Sequence, residues 1–580
     1  MSNQKMINLK INDITVTVPE GTTVLEAAEK VNIKIPRLCY YEFPGMPKIN
    51  RIASCRVCVV EIEGRKNLAP SCATLVTEGM IVKTNTPRAV KARRTMVELL
   101  LSDHPNSCLT CPKNNNCDLQ KIAADLNIRK IRFQGERLRF REDESSFSLK
   151  KDLEKCIMCR RCEVMCNEVQ TCRVLSAVGR GFGVVVSTAF HLPQKDTACT
   201  FCGQCVSVCP TAALTGISYI DQVWEAINNP TKKVIVQTAP AVRVGLSEEF
   251  GLPDGEPITG KLVAGLRRLG FDAIFDTNFG ADLTIMEEAK ELIDRITKNE
   301  NLPILTSCCP GWINFIETNF PDLLHIPSSA KSPQQMFGAI AKTYYAKKIG
   351  IDPKDLVVVS VMPCLAKKYE ANRPEFSSNG IQDVDYVITT RELVYMLREA
   401  GIDLAQLQDE KYDSPLGEST GAAVIFGVTG GVLEAALRTA YEWLTKKELK
   451  EVNFTDIRGL EGIKEATIDI DGLKLNVAVA SGLGNARKIL EKIQSGESHY
   501  HAIEIMACPG GCINGGGQPF KHGDMTLIED RMRGIYKEDR NCKYRKSHEN
   551  PEIQKLYQEF LGEPGSHKAH ELLHTKYFKR

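Results

Sequence analysis

Apolar and polar positions alternate differently in the two parts of the chain. Between residues 7 and 18, two short alternating runs flank Asn12-Asp13, which predicts two strands joined by a turn. Thr22 is expected to cap the helix that follows, TVLEAAEKV. A second helical pattern covers about 88–102, and the polar, charged residues 141–155 are expected to form a linker.

After about residue 218, apolar runs alternate with helical patterns, which predicts α/β architecture. The runs are KVIVQTAP, DAIFDT, LPILTS, LVVVSV, DYVITT, LNVAVAS and AIEIMA. Three of them lead directly into Cys308-Cys309, Cys364 and Cys508. Because sites in α/β folds gather at the carboxyl ends of strands, these distant cysteines are expected to share one pocket.

Composition and charge narrow the class of protein. The chain has 580 residues, 43% apolar and 25% charged, which is enough for several domains. Its formal net charge is only +2, so we expect no nucleic-acid partner. The polar start, MSNQKMINLK, lacks a secretory apolar region, and no apolar run long enough for a membrane span follows. A cytoplasmic protein without a membrane partner is expected.

The 22 cysteines change the picture most. A disulfide framework suits small secreted domains, and this chain is neither small nor visibly exported. Many of the cysteines fall in C-x-x-C groups, whose spacing suits metal ligation by reduced thiols. We therefore expect metal sites rather than disulfides.

Two cysteine runs repeat the pattern C-x2-C-x2-C-x3-C, which is typical of bacterial two-cluster ferredoxins. In that pattern the fourth cysteine of each run ligates the cluster of the other run. One 4Fe–4S cluster is therefore assigned to Cys156, Cys159, Cys162 and Cys209, and the second to Cys199, Cys202, Cys205 and Cys166. Structural zinc is the alternative, although zinc usually takes separated C-x-x-C pairs.

Two further groups of ligands leave the metal open. Cys39, Cys55, Cys58 and Cys72 suggest a 2Fe–2S ferredoxin-like domain, but their spacing is not the plant type, and zinc is an alternative. One imidazole and three thiolates are offered by His104, Cys108, Cys111 and Cys117. Zinc and a 4Fe–4S cluster both suit that second set, and ligand chemistry alone does not separate them.

Three segments after residue 300 carry a resemblance to a known family. They are Thr306-Ser307-Cys308-Cys309-Pro310-Gly311-Trp312, Met362-Pro363-Cys364-x2-Lys367-x2-Glu370 and Glu504-x-Met506-Ala507-Cys508-x3-Cys512-x2-Gly515-Gly516-Gly517. Together they resemble the signature segments of the iron–iron hydrogenases. The resemblance covers the whole chain and is to the long clostridial type with accessory iron–sulfur domains.

The resemblance implies a two-part active cluster, the H-cluster. Its cubane 4Fe–4S part would be held by Cys309, Cys364, Cys508 and Cys512, and Cys512 would bridge to a two-iron unit with CO, cyanide and dithiolate ligands. Lys367 matches the residue that hydrogen-bonds a cyanide, and the matching pocket-lining positions are Pro240, Ser328, Met362, Phe426 and Met506. The resemblance also implies a 4Fe–4S cluster, rather than zinc, at His104.

The residue types agree with these roles but allow plainer ones. A buried cation suits an anionic ligand, although Lys367 can also be a solvated helix lysine. Met362 and Met506 can be ordinary core packing. The glycines of 515–517 permit close backbone approach to a cofactor.

Glu288, Glu291 and Arg295 share one helix face by their spacing. A surface ion pair between Glu291 and Arg295 is the plain explanation. The resemblance instead implies a proton relay from Cys308, surplus to the four cubane ligands, through a water to Glu288, Ser328 and Glu291 and then outward. Cys172 and Cys542 match no cluster motif and are interpreted as structural thiols.

The expected fold class is multidomain α+β and α/β, in four parts. These are a β-grasp 2Fe–2S ferredoxin-like domain over 1–87, a small helical domain with one histidine and three cysteine ligands over 88–135, a two-4Fe–4S ferredoxin-like domain over 136–218 and a large α/β catalytic domain over 219–580. The expected cofactors are one 2Fe–2S cluster, three accessory 4Fe–4S clusters and the H-cluster.

The function implied is a ferredoxin hydrogenase that reversibly reduces protons to H2. Ferredoxin or flavodoxin is the expected electron partner, maturation proteins would build the active cluster, and a monomer is expected. One alternative is an electron-conduit subunit, since the first ~210 residues also resemble the large iron–sulfur subunit of respiratory NADH dehydrogenases. Another is a non-enzymatic assembly homologue or a hydrogen sensor. The three signature segments argue against an electron conduit and an assembly homologue. A sensor would be expected to carry an added sensory domain, and the sequence shows none.

Overall fold

The computed structural model describes residues 5–43, 52–378 and 380–580. The N-terminal unit expected over 1–87 includes residues 1–4 and 44–51, which lie outside the described residues. Among the described residues, no helix combines the length and the apolar character needed to cross a membrane.

A five-stranded mixed sheet forms the N-terminal unit. Its strands, in spatial order, are Ile14–Pro19, Met6–Ile11, Ile81–Lys83, Val59–Ile62 and Ala69–Pro70. The predicted turn at Asn12-Asp13 is confirmed, and both residues have positive φ. The cap prediction was wrong by one residue: Thr23 caps helix Val24–Glu29 and forms a capping box with Glu26, whereas the Thr22 hydroxyl donates to the Pro19 carbonyl.

Two helices, Pro87–Ser102 and Asp118–Asp125, frame the next unit. The ferredoxin-like unit that follows has two antiparallel strand pairs, Leu149–Lys151 with Leu214–Gly216 and Ser176–Val178 with Val185–Ser187. Its helices are Arg161–Val164, which continues into a π-turn at Met165–Val169, and Gln204–Val208. Residues 141–155 are therefore not simply a linker, because 149–151 pair with a strand that is distant in sequence.

Two four-stranded sheets build the remainder of the chain. The first is wholly parallel, in the order Ala273–Asp276, Lys233–Thr238, Leu356–Met362 and Tyr386–Thr389. The second is in the order Ile304–Leu305, Ala502–Met506, Leu473–Ser481 and Ile463–Ile470, with only the last strand antiparallel. The α/β prediction is confirmed for all seven apolar runs, but strand Ile463–Ile470 was missed.

Helices cover these sheets. They are Ile220–Ile227, Val242–Gly245, Thr259–Leu269, Thr277–Lys298, Pro310–Asn319, Pro333–Ile340, Ala346–Ile349, Ala366–Ala371, Thr390–Glu399, Gly421–Val424, Gly431–Thr445, Leu483–Gln494, Thr526–Asn541, Pro551–Leu556 and His567–Leu573. Helix Thr277–Lys298 packs against Pro333–Ile340 and Gly431–Thr445. Because its first half is buried all round, its polar residues there face the interior rather than solvent.

Candidate active site

The carboxyl ends of strands from both sheets meet at one cavity, as predicted. The empty space within it, counted together with its opening to solvent, is about 690 Å³. Ten of the predicted site residues line it: Pro240, Cys308, Cys309, Met362, Cys364, Lys367, Phe426, Met506, Cys508 and Cys512. Gln334 and Thr277, which sequence reasoning missed, line it as well.

Four thiols of this cavity are the proposed cubane ligands. Burial, followed by neighbouring thiols, raises the pKa of Cys364, Cys508 and Cys512, the last to about 12. Burial also raises the pKa of Cys309, whose sulfur accepts a hydrogen bond from the Ala507 amide at 3.4 Å. Without a metal these thiols would stay protonated at neutral pH, and a metal that binds them as thiolates would displace those protons.

Lys367 is buried beside the cavity and is not a solvated helix lysine. Its side chain is 11% exposed, and its ammonium donates to the Cys308 carbonyl at 3.0 Å and to the Glu370 carboxylate at 2.9 Å. Burial opposes the charge, but Glu370 outweighs it and raises the pKa of Lys367. A cation is therefore held at the cavity wall.

Both methionines have two roles at once. Met362 and Met506 are each 2% exposed, belong to hydrophobic cores and also line the cavity. The core-packing and pocket-lining explanations are thus compatible for these residues.

The predicted relay residues follow one another away from Cys308. Burial and then Glu288 raise the pKa of the Cys308 thiol well above its usual value. Burial and then Glu291 raise the pKa of Glu288 to about 8, so Glu288 is mostly protonated at neutral pH. Ser328 donates to Glu291 at 2.8 Å, and Arg295 donates to the same carboxylate at 2.6 Å. None of Ser328, Glu288, Glu291 and Arg295 lines the cavity. The pocket-lining prediction was therefore wrong for Ser328, whose hydroxyl is bonded to Glu291 instead.

Ser307 is a member of this network that sequence reasoning left without a role. Its hydroxyl donates to the Ala330 carbonyl at 2.7 Å and lies 3.4 Å from a Glu288 oxygen. It immediately precedes Cys308 in the signature, which was the available signal.

Of the three glycines at 515–517, Gly515 lines the cavity, and all three also pack closely against the protein. A Cβ on Gly516 would lie 2.7 Å from the Gly203 carbonyl carbon, and one on Gly517 would lie 2.8 Å from Thr389. On Gly515 a Cβ would meet the Pro363 carbonyl oxygen. Gly516 and Gly517 therefore make room for other parts of the protein, and Gly516 lets the ferredoxin-like unit contact the catalytic part.

The ferredoxin-type cysteines group as the repeat predicts. Cys166 lines one cavity with Cys199, Cys202 and Cys205. Cys159 and Cys162 interact electrostatically with Cys156 and Cys209. Cys172, interpreted above as a structural thiol, also lines the first of these cavities, whereas Cys542 packs in a separate apolar cluster.

The other two ligand sets are also assembled. His104, Cys108, Cys111 and Cys117 line one cavity. Burial, with Lys155 and Arg137 nearby, lowers the pKa of His104 to about 4, which leaves a neutral imidazole available as a ligand. In the N-terminal unit, the thiol of Cys39 contacts those of Cys55 and Cys72, and Cys72 contacts Cys58. None of the 22 cysteines, all of them in the described part of the chain, forms a disulfide.

The second ferredoxin-type site adjoins the main cavity. A Cβ on Gly311 would lie 3.4 Å from the Cβ of Cys202 and 3.3 Å from that of Ala507. Gln170 donates to the Ala507 carbonyl at 2.9 Å, and Asn314 donates to the Cys199 carbonyl at 3.0 Å. A single layer of residues, which includes Gly311, therefore separates the second ferredoxin-type site from the cysteines of the main cavity.

Five family models match successive parts of the chain. They are described as 2Fe-2S iron-sulfur cluster binding domain (residues 4–87), NADH-ubiquinone oxidoreductase-G iron-sulfur binding region (93–132), 4Fe-4S dicluster domain (138–213), iron only hydrogenase large subunit, C-terminal domain (232–516) and iron hydrogenase small subunit (525–580).

Whole-chain relatives and solved structures agree with these models. The NADP-reducing hydrogenase subunit HndD of Solidesulfovibrio fructosivorans is 58% identical over 581 residues, which covers 99% of each chain. Iron hydrogenase 1 of Clostridium pasteurianum is 42% identical over 579 residues, 99% of this chain and 100% of that one. A structure of apo FeFe-hydrogenase HydA1 from Chlamydomonas reinhardtii is 46% identical, with a TM-score of 0.57, and covers 63% of this chain and 99% of its own. The chain therefore belongs to the iron-only (FeFe) hydrogenases, oxidoreductases that use 2Fe–2S and 4Fe–4S clusters and an H-cluster, and it carries an iron–sulfur region of the NADH-dehydrogenase type.

Proposed function

We propose that this chain catalyses the reversible reduction of protons to molecular hydrogen in the cavity between its two main sheets. One observation carries the proposal: four thiols, the ammonium of Lys367 and a fifth thiol converge on that cavity. A purely structural cluster needs only the four ligands, so the additional thiol of Cys308 next to the ammonium of Lys367 favours catalysis over a structural or conduit role.

The cavity residues fit the H-cluster by their chemistry. Cys309, Cys364, Cys508 and Cys512 would hold the H-cluster as soft thiolates. When bound, this cofactor supplies the electron-accepting and hydrogen-forming iron chemistry. Lys367 would hydrogen-bond an anionic cyanide ligand. The apolar side chains of Pro240, Met362, Phe426 and Met506 exclude bulk water from the reacting side.

The protein's own part in the reaction is to deliver or remove protons. Cys308 presents an exchangeable S–H at the cavity wall, and Glu288 is its nearest carboxyl partner in charge interaction. A mostly protonated Glu288 can give its proton toward Cys308 and be reloaded through Ser328 and Glu291. Arg295 holds the outermost carboxylate of this relay.

Electrons would reach the cavity through the accessory clusters. We assign one 2Fe–2S cluster to 1–87, a histidine-ligated 4Fe–4S cluster to 88–135, two 4Fe–4S clusters to 136–218 and the H-cluster to 219–580. The cluster held by Cys166, Cys199, Cys202 and Cys205 would be the last before the H-cluster, because Cys202 lies against Gly311 beside the cavity. This inventory predicts about 20 iron atoms per chain.

The electron partner has two candidates. Ferredoxin or flavodoxin would suit a monomeric cytoplasmic enzyme assembled by maturation proteins. The name of HndD, an NADP-reducing hydrogenase subunit, favours a second candidate, in which this chain is one subunit of an assembly that passes electrons to NADP+. Hydrogen-driven reduction of purified ferredoxin and of NADP+ by the isolated chain separates them, because only the first is expected without partner subunits.

The neighbouring cysteines test the function itself. Cys308→Ala should keep the infrared CO and cyanide bands of matured protein but lose most hydrogen turnover, because the exchangeable proton is gone. Cys309→Ala, the matched control, should disturb the bands because it removes a proposed ligand. Full turnover in Cys308→Ala would refute its relay role, and absence of CO and cyanide bands from the unmodified chain would refute the hydrogenase assignment.

A further inference from the structure

The outer end of the proposed relay, Glu291, faces two possible exits. Arg295 Nη2 donates to its Oε1 at 2.6 Å, and Ser328 Oγ donates to Oε2 at 2.8 Å. Ser329 approaches the same Oε2 with its backbone N–H at 3.2 Å and its hydroxyl at 3.4 Å. A proton on this carboxyl can therefore move toward the arginine or toward the second serine.

Arg295 is poorly suited to carry the proton. Its Nη1 donates to the carbonyls of Asn301 at 2.9 Å and Ile326 at 2.7 Å, and its Nη2 also contacts the Pro327 carbonyl at 3.2 Å. A guanidinium keeps its protons at any ordinary pH and accepts none. These contacts fix the position of Glu291 without offering a group that can lose and regain a proton.

Ser329 connects to groups that can exchange protons. Its hydroxyl lies 2.8 Å from His574 Nδ1, and His574 Nε2 lies 3.0 Å from a Glu287 oxygen. The His574 side chain is 8% exposed, so it reaches the edge of solvent. The ring of His570, which is exposed, stacks on it at 4.1 Å between centroids.

The C-terminal segment holds His574 in this position. The Thr575 amide donates to the Ser329 carbonyl at 2.8 Å, and the Lys331 amide donates to the Leu573 carbonyl at 2.8 Å. Backbone pairing on both sides of the imidazole therefore fixes it against the relay.

On the far side of the ring, Glu287 is equally constrained. It accepts from the Gly565 amide at 2.8 Å and from the Tyr557 hydroxyl. With the Ser329 contact at Nδ1, both ring nitrogens of His574 thus have fixed partners.

We infer that protons enter and leave this enzyme through Ser329 and His574, beside His570, and that Arg295 serves to orient Glu291. This inference rests on the proposed relay and adds its connection to solvent. It assigns a role to a histidine that lies more than 280 residues from Glu291 in sequence.

The transfer balances without a further reactant. During hydrogen oxidation, the proton on Glu291 Oε2 passes to Ser329 Oγ while the serine's own proton passes to His574 Nδ1. The imidazolium then releases its Nε2 proton to Glu287 or to water beside His570, which leaves the proton on Nδ1. Tautomer exchange through solvent, in which Nδ1 loses its proton and Nε2 regains one, restores the Nδ1 lone pair that accepts from Ser329. Hydrogen evolution uses the same steps in reverse, and no electron moves in either direction.

Three variants of the matured full chain test this route. Ser329→Ala and His574→Asn should lower turnover about tenfold or more, because each removes a proton-exchanging group. Their infrared CO and cyanide bands should be unchanged, and their solvent deuterium isotope effect should rise as proton transfer becomes limiting. Added imidazole should restore part of the turnover of His574→Asn. His567→Asn, at an exposed histidine that begins the helix preceding His574, is the matched control and should behave as the unmodified enzyme.

Glu291→Gln separates failure of this inference from failure of the relay. If Glu291→Gln is inactive while Ser329→Ala and His574→Asn keep full turnover and the normal isotope effect, the exit through His574 is refuted and the relay stands. If Glu291→Gln is itself fully active, the relay fails and this exit fails with it. Loss of turnover in His574→Asn with altered infrared bands and no imidazole rescue would also overturn the inference, by showing a structural role.

Discussion

Replacing Glu288 with glutamine tests the carboxyl of the proposed relay whose pKa is shifted most. Glu288 is 4% exposed, and burial, followed by the Glu291 carboxylate, raises its pKa to about 8. Glutamine keeps the size of the side chain and can still hydrogen-bond Ser307. It cannot exchange a proton as a carboxyl does, and it carries no charge at any pH.

The sign of the effect on stability follows from linkage. The pKa of this carboxyl is 4.5 in the unfolded chain, and burial raises the pKa to about 8 in the folded protein. Between these values the folded state binds more protons than the unfolded state, so stability falls as the pH rises. The loss in the free energy of unfolding is about 3 kcal/mol at pH 7 and reaches at most about 5 kcal/mol above pH 8. Glu288→Gln does not lose stability in this way. Its free energy of unfolding, relative to that of the unmodified protein, should therefore rise as the pH increases from about 4.5 to about 8.

The assay compares thermal unfolding midpoints of the matured proteins at one scan rate between pH 5 and pH 9. Glu300→Gln, an exposed carboxylate beyond the same helix, is the control and should leave the pH profile unchanged. Glu288→Gln should also keep the CO and cyanide bands while losing most turnover. Parallel pH profiles for Glu288→Gln and the unmodified protein would show that Glu288 is ionised in the fold and would refute the reasoning.

Three further outcomes are expected. Gly516→Ala should force Gly203 away, at a cost of about 1–3 kcal/mol in the free energy of unfolding. Electron delivery from a protein donor should slow while the infrared bands persist, and unchanged donor-driven rates would contradict this. A chain limited to residues 219–580 should keep those bands but lose donor-driven turnover and expose Leu365, so equal rates would refute the electron relay. Metal analysis should find about 20 iron atoms, whereas stoichiometric zinc would contradict the assignment at His104 or in the N-terminal unit.

Local sequence patterns predicted features whose causes lie within a few residues. The C-x2-C-x2-C-x3-C repeats indicated which cysteines group together, because ligand spacing within a loop is short-range. The apolar runs predicted the strands that end at Cys308, Cys364 and Cys508. The spacing of Glu288 and Glu291 placed them on one helix face, but not whether that face was buried, since the same pattern also suits a surface ion pair.

The sequence predictions failed where the deciding contact came from a residue far away in the chain, or where two adjacent residues could fill the same role. The cap was assigned to Thr22, but its neighbour Thr23 carries the same hydroxyl and caps the helix, while Thr22 bonds to Pro19. Strand Leu149–Lys151 was taken as linker because its partner lies more than 60 residues away. The glycines at 515–517 signalled close approach, but only packing decided that Gly515 lines the cavity while Gly516 and Gly517 lie against other parts of the protein.

By itself, the sequence determined the cluster-binding motifs, the α/β alternation and the family, since these depend on short-range spacing and on residue types. Only the tertiary structure decided that Glu288 is buried, that Lys367 faces the cavity with Glu370 and that Cys172 lies beside a cluster site. It alone brought His574 to Ser329. These outcomes depend on burial and on contacts between residues far apart in the chain, which are set when the two sheets and the C-terminal helix pack together and which leave no periodic signal in the sequence.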